Sequence, residues 1–135
     1  MQTETFELAR LRDKTSKRIE KAKRTEYENN CVHEDKARED RRHEIYRKDS
    51  RIRSIKNRPV TGETAKQTAK QKIKDANDDF HRRVREIKKT EISAKDREAR
   101  RKKERIAIIQ RDFVTERLSI RIHRLEQRMN EDVPK

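Results

Sequence analysis

The chain has 135 residues, of which 49% are Asp, Glu, Lys or Arg and only 28% are apolar, and it carries a net charge of +14. So little apolar surface excludes a large core, because ordering each backbone residue costs roughly 1–2 kcal/mol that burial would have to offset. One glycine and two prolines argue equally against a charged disordered chain, which is normally enriched in both, and the basic excess predicts an anionic partner: an acidic protein surface, nucleic acid or anionic lipid.

The opening residues, Met1 to Arg12, lack the basic and apolar regions of a secretory signal, and Glu4 and Glu7 suit a transit peptide poorly. No run approaches the ~18 apolar residues of a membrane span. The single cysteine, Cys31, allows no internal disulfide and fits a reducing compartment. These features predict a soluble, intracellular protein.

The first element is a charged helix over residues 1–57, helical from about residue 4 to 56. Leu8, Leu11, Ile19 and Ala22 form a thin apolar stripe, and Ile45, Ile52 and Ile55 a second. Cys31, His33 and His43 lie between them. Structural zinc needs four ligands at tighter spacing, and positions two apart on a helix point away from each other, so no metal or cofactor is expected. No Gly-rich turn shapes a pocket around Cys31, and no catalytic residue is assigned. The run Arg41–Arg58 holds eight Lys and Arg against two acids. Arg41, Arg42, Arg47, Lys48, Arg51 and Arg53 are its candidate anion-binding residues.

Residues 58–63 form the break. Pro59 disfavours helix at Arg58, and Gly62 can take turn conformations. Thr64 with Gln67 then reads as a capping box that restarts a helix. The turn chemistry permits either an extended rod or a hairpin.

The second element is a long amphipathic helix over residues 64–131, followed by a frayed tail at 132–135. Ala69, Ile73, Ala76, Phe80, Val84 and Ile87 make a seam on one face, and Ile106, Ile109, Phe113 and Ile120 lie close to the same face at ~100° per residue. Val114, Leu118, Ile122, Leu125 and Met129 sit well over ~90° around from it. The C-terminal third therefore carries a very wide apolar surface or one that changes sides, which argues against the plainest two-stranded coiled coil. The expected partner-binding apolar residues are Ile73, Phe80, Val84, Ile87, Ile106, Ile109, Phe113, Leu118, Ile122 and Leu125. The second basic run, Arg97–Arg105, holds six bases against two acids, with Arg100, Arg101, Lys102, Lys103 and Arg105 as candidate contacts.

Both helices place acids four residues before bases: Asp13–Lys17, Glu20–Arg24, Glu34–Arg38, Glu44–Lys48, Asp49–Arg53, Asp78–Arg82, Asp79–Arg83 and Glu98–Lys102. Each such pair stabilises an isolated helix by about 0.2–0.5 kcal/mol. On this reading the fold is all-α: two long, highly charged helices joined at a Pro/Gly break, supported by local charge pairs with little independent core.

Residues 104–125, ERIAIIQRDFVTERLSIRIHRL, resemble the C-terminal helix of small microtubule inner proteins of ciliary doublets. Arg105, Ala107, Ile109, Phe113, Glu116 and Ile120 occupy the matching positions. The resemblance implies a non-enzymatic helical staple on the acidic tubulin lattice, and a cytoplasmic, ciliary or cytoskeletal location. The basic runs leave a nucleic-acid or ribonucleoprotein component, with a nuclear location, as the alternative. A coiled-coil adaptor or viral scaffold, with self-association or a coiled-coil partner, is the third reading. Base-specific recognition is not expected, since five aromatics are too sparse for stacking platforms.

Overall fold

The structure, a computed structural model, describes residues 5–131; the tail expected at 132–135 lies outside the described residues. The fold is all-α. Helix α1 spans Phe6–Lys56 and helix α2 spans Glu63–Glu131, with 51 and 69 residues, and no strand occurs among the described residues.

The ends of the helices follow local chemistry. Thr5 caps α1: its Oγ1 accepts the Leu8 N–H at 3.4 Å and its carbonyl accepts the Ala9 N–H at 3.0 Å, which satisfies donors the first turn would otherwise leave orphaned. At the far end Arg53 and Lys56 lie in the last turn, where positive charge suits the carbonyl end of the helix dipole. The Arg58 N–H tightens that end by reaching the Ile55 carbonyl at 3.4 Å. Pro59 then has no N–H with which to continue.

Helix α2 begins at Glu63, one residue before the expected bound, and its cap lies two residues before the Thr64 of the expected capping box. Gly62, at φ 91°, holds the cap position, and its carbonyl accepts the Lys66 N–H at 3.2 Å. Thr64 is already inside the first turn, where its carbonyl accepts the Thr68 hydroxyl at 2.9 Å. A glycine that supplies the positive φ of the turn can also serve as N-cap with little loss, so Thr64 is not needed there.

The chain forms two compact units. The first comprises Met1–Glu28 and Glu98–Lys135. Within it the α1 and α2 segments run antiparallel, stapled by Lys14–Glu116 at 4.0 Å, Arg18–Asp112 at 3.3 Å and Glu26–Lys102 at 2.8 Å. The second unit, Asn29–Arg97, contains the turn and is a helical hairpin. Its staples are Arg51–Asp79 at 3.0 Å, Glu44–Arg83 at 3.6 Å, Arg41–Glu91 at 3.3 Å and Glu34–Lys95 at 2.7 Å. Of the two arrangements the turn permits, residues 29–97 adopt the hairpin.

The inward positions repeat every eleven residues in both helices. In α1 they are Leu11, Ala22, His33, Glu44 and Ile55, with Leu8, Ile19, Asn30, Arg41 and Ile52 on a parallel row. In α2 they are Ala69, Phe80, Glu91, Lys102, Phe113 and Arg124, flanked by Ile73, Val84, Lys95, Ile106 and Arg117 and by Ala76, Ile87, Glu98, Ile109 and Ile120. Every one of these is buried or half-buried. Eleven residues in three turns is ~3.67 per turn, close enough to the natural ~3.6 that the inward row keeps to one face.

Few apolar residues are fully buried, on these rows or beside them. In the first unit Leu11, Ala22 and Ile109 are buried, and in the second Ala37, Ala76 and Ala94. Alanines bring helix backbones close but remove little apolar area from water, so the staples join the half-buried Ile, Val, Leu and Phe side chains of the rows in fixing the pairing.

Candidate interaction surfaces

The apolar residues divide by unit and by face. Ile73, Phe80, Val84 and Ile87 are half-buried in the hairpin of the second unit, with Phe80 covered by the Lys48 ammonium 4.3 Å from its ring centroid. In the first unit Ile109 is buried, Ile106 and Phe113 are half-buried, and the Arg117 guanidinium lies 5.3 Å from the Phe113 ring centroid. Leu118, Ile122, Leu125 and Met129 face outward, from 50% to 69% exposed, with Val114 beside them at 44%. The inward row does not change sides; the C-terminal third of α2 carries a second apolar stripe on its outer face.

Each basic run is shared between internal and outward duty. In the first, Arg41 reaches Glu91, Arg51 reaches Asp79 and Lys48 lies over Phe80, whereas Arg42, Arg47 and Arg53 are exposed and meet no carboxylate among the described residues. In the second, Arg101 holds Glu98 at 3.2 Å and Lys102 reaches Glu26, whereas Arg100, Lys103 and Arg105 are exposed and likewise unpaired among the described residues.

The acids explain this division, and they correct the expectation of local pairing. Asp13–Lys17 forms as spaced, at 3.0 Å. Three of the other acids take different partners. Glu34 binds Lys95 rather than Arg38, Glu44 binds Arg83 rather than Lys48, and Asp79 binds Arg51 and Arg82 rather than Arg83. Glu34, Glu44 and Asp79 lie beside the inward row and each reaches a base on the facing helix, so they staple the two helices.

Glu91 is the most constrained acid of the second unit. At 8% exposure it holds Arg41 at 3.3 Å and Lys95 at 3.5 Å. Lys95 also donates a 2.7 Å hydrogen bond to Glu34. That bond, then the positive charge beside it, lowers the Glu34 pKa below its ordinary value, and the same bond raises Lys95 above its own. The Arg51 hydrogen bond likewise lowers Asp79. In the first unit Lys102 Nζ lies 2.8 Å from Glu26 Oε2 in ion-pair contact, without the angles of a hydrogen bond. Charge pairs thus occupy inward positions that a conventional helix pair fills with Leu or Ile.

Four-residue spacing did not single out Glu26 or Glu91, two of the acids that receive bases from the facing helix. The eleven-residue row finds Glu91, since Ala69, Phe80, Glu91, Lys102 and Phe113 stand in one line, and Glu26 faces Lys102 of that row.

Cys31 is half-buried, and no group of three His, Cys, Asp or Glu among the described residues converges as a metal site would require. A groove of about 510 Å³ in the second unit is lined by Asp40, Glu44, Arg83, Glu86 and Glu91, of which Glu44 pairs with Arg83 and Glu91 with Arg41. No helix among the described residues is long and apolar enough to cross a membrane. Comparison with protein-family models finds no match, and none is found among curated proteins or solved structures.

Proposed function

We propose that this chain is a non-enzymatic basic structural protein that binds along an acidic macromolecular assembly, with the microtubule wall of the axoneme as the specific case. The observation that carries the reading is the division of each basic run. Arg42, Arg47 and Arg53 in the second unit, and Arg100, Lys103 and Arg105 in the first, are exposed and meet no carboxylate among the described residues. Bases held at fixed helical intervals without counter-ions complement a surface of opposite charge, steering its approach and fixing its register. The resemblance of residues 104–125 to microtubule inner proteins supports tubulin as that surface.

Co-sedimentation with polymerised tubulin tests the reading, with RNA and duplex DNA binding measured beside it. Binding to the polymer that weakens when Arg100, Lys103 and Arg105 are replaced by glutamate supports it. A protein that ignores tubulin but shifts nucleic acid, with a log–log salt slope of about −0.9 per phosphate contact, defeats it in favour of a ribonucleoprotein role.

A further inference from the structure

The outer stripe of α2 differs from the inward row in period as well as in direction. Leu118, Ile122, Leu125 and Met129 are spaced by four, three and four residues, which is the d-a-d-a order of a heptad. The inward row in the same segment, Ile109, Phe113 and Ile120, lies roughly 170° round the helix at ~100° per residue and is buried or half-buried within the first unit. The stripe is not. Its four side chains are 50%, 55%, 56% and 69% exposed in chain order.

We infer that this stripe pairs with the same stripe of a second copy of the chain, parallel and in register. The charges beside it choose that occupant. With Leu118 and Leu125 at d, Arg121 falls at g and Glu126 at e. In a parallel pair each g residue faces the e residue of the following heptad on the partner helix. Arg121 of one copy then meets Glu126 of the other, twice across the twofold axis. Antiparallel pairing would instead bring the g residues Arg121 and Arg128 toward each other. The neighbouring acids are committed elsewhere, Asp112 to Arg18 and Glu116 to Lys14, whereas Arg121 and Glu126 meet no ionic partner among the described residues. Ile122 at a between leucines at d is also the combination that parallel two-stranded coils favour.

The seam is short. One heptad upstream, Arg111 stands at d and Thr115 at a, so continuous apolar contact begins at Leu118. Two heptads give an association that depends on concentration. A dimer would carry two sets of the exposed bases described above, a consequence that goes beyond the proposed function and does not rely on it.

Sedimentation equilibrium on the full chain without any polymer tests the inference. The mass should rise with concentration from 16.4 kDa toward twice that value. Leu118→Glu with Leu125→Glu should hold it at the monomer while circular dichroism shows unchanged helix, since both side chains are exposed. Arg121→Glu should raise the dimer dissociation constant roughly tenfold, and adding Glu126→Arg should restore it, because the swap re-pairs only in the parallel register. In a Cys31→Ser background, Leu125→Cys should form a disulfide-linked dimer under mild oxidation. A monomer at every concentration, a dimer indifferent to the double glutamate variant, or a charge swap that fails to rescue would each overturn the inference.

Discussion

Lys95 joins Glu34 and Glu91 in a cluster whose strength depends on every member keeping its charge. Lowered carboxylates contribute stability that is complete above their ordinary pKa and is lost as pH falls through the lowered one; a raised lysine contributes stability that is complete below its ordinary pKa and is lost as pH rises through the raised one. Glu34 and Asp79 are of the first kind and Lys95 of the second. Thermal stability should therefore be flat from about pH 5 to about pH 10 and decline on either side, as melting by circular dichroism at fixed ionic strength would record. A carboxyl NMR titration should place Glu34 below its ordinary value, and Lys95→Met should return it upward. Packing gives the companion test. Ile109 is buried at 6% exposure and Leu118 half-exposed at 50%, so Ile109→Ala should cost the first unit about 2 kcal/mol and Leu118→Ala under about 0.5 kcal/mol, read from amide exchange in that unit. The charged residues were the least legible at this scale. Four-residue spacing identifies which charges could meet on an isolated helix, but it carries no information about a facing helix that offers Glu34 a shorter route to Lys95 than to Arg38.

At the scale of the elements, the two helices and their break follow directly from composition and punctuation. Good helix formers run unbroken on either side of Pro59 and Gly62, and the observed ends, Lys56 and Glu63, lie within one residue of the expected helical bounds. The inward row was legible in its apolar parts, Ala69 to Ile87 and Ile106 to Ile120. It was illegible between them, because a search for apolar periodicity stops where Glu91, Lys95, Glu98 and Lys102 take over the same positions. Those charges keep the row while abandoning its chemistry. The turn itself gives a sharp prediction. A methyl group added at Gly62 would meet nothing within 4 Å, yet its φ of 91° is one that L-residues rarely adopt. Gly62→Ala should therefore destabilise the second unit by about 1 kcal/mol through backbone strain alone, and Gly62→Asn by less. Faster amide exchange beside the turn, with no loss of helix in the native spectrum, is the expected signature.

For the molecule as a whole, the net charge of +14 is the remainder after a large internal account of acids and bases has been settled, and position decides which bases belong to that remainder. Arg51 and Arg53 stand two residues apart and look equivalent in the sequence. Arg51 staples the second unit through Asp79 at 3.0 Å, whereas Arg53 is exposed and meets no carboxylate among the described residues. Reversing either charge changes the net charge equally, so a partner that senses only total charge would respond equally to both. A shaped acidic surface would not. Arg42→Glu, Arg47→Glu and Arg53→Glu together should reduce polymer binding by at least about tenfold while leaving the melting midpoint nearly unchanged, since exposed charges without partners contribute little to stability. Arg51→Glu alone should lower the midpoint, because it sets a second negative charge against Asp79, and should reduce binding only modestly. Co-sedimentation and thermal melts on the same two variants separate these effects. If both variants lost binding in proportion to their charge, the outward bases would be acting as a diffuse field rather than as a surface matched to a partner.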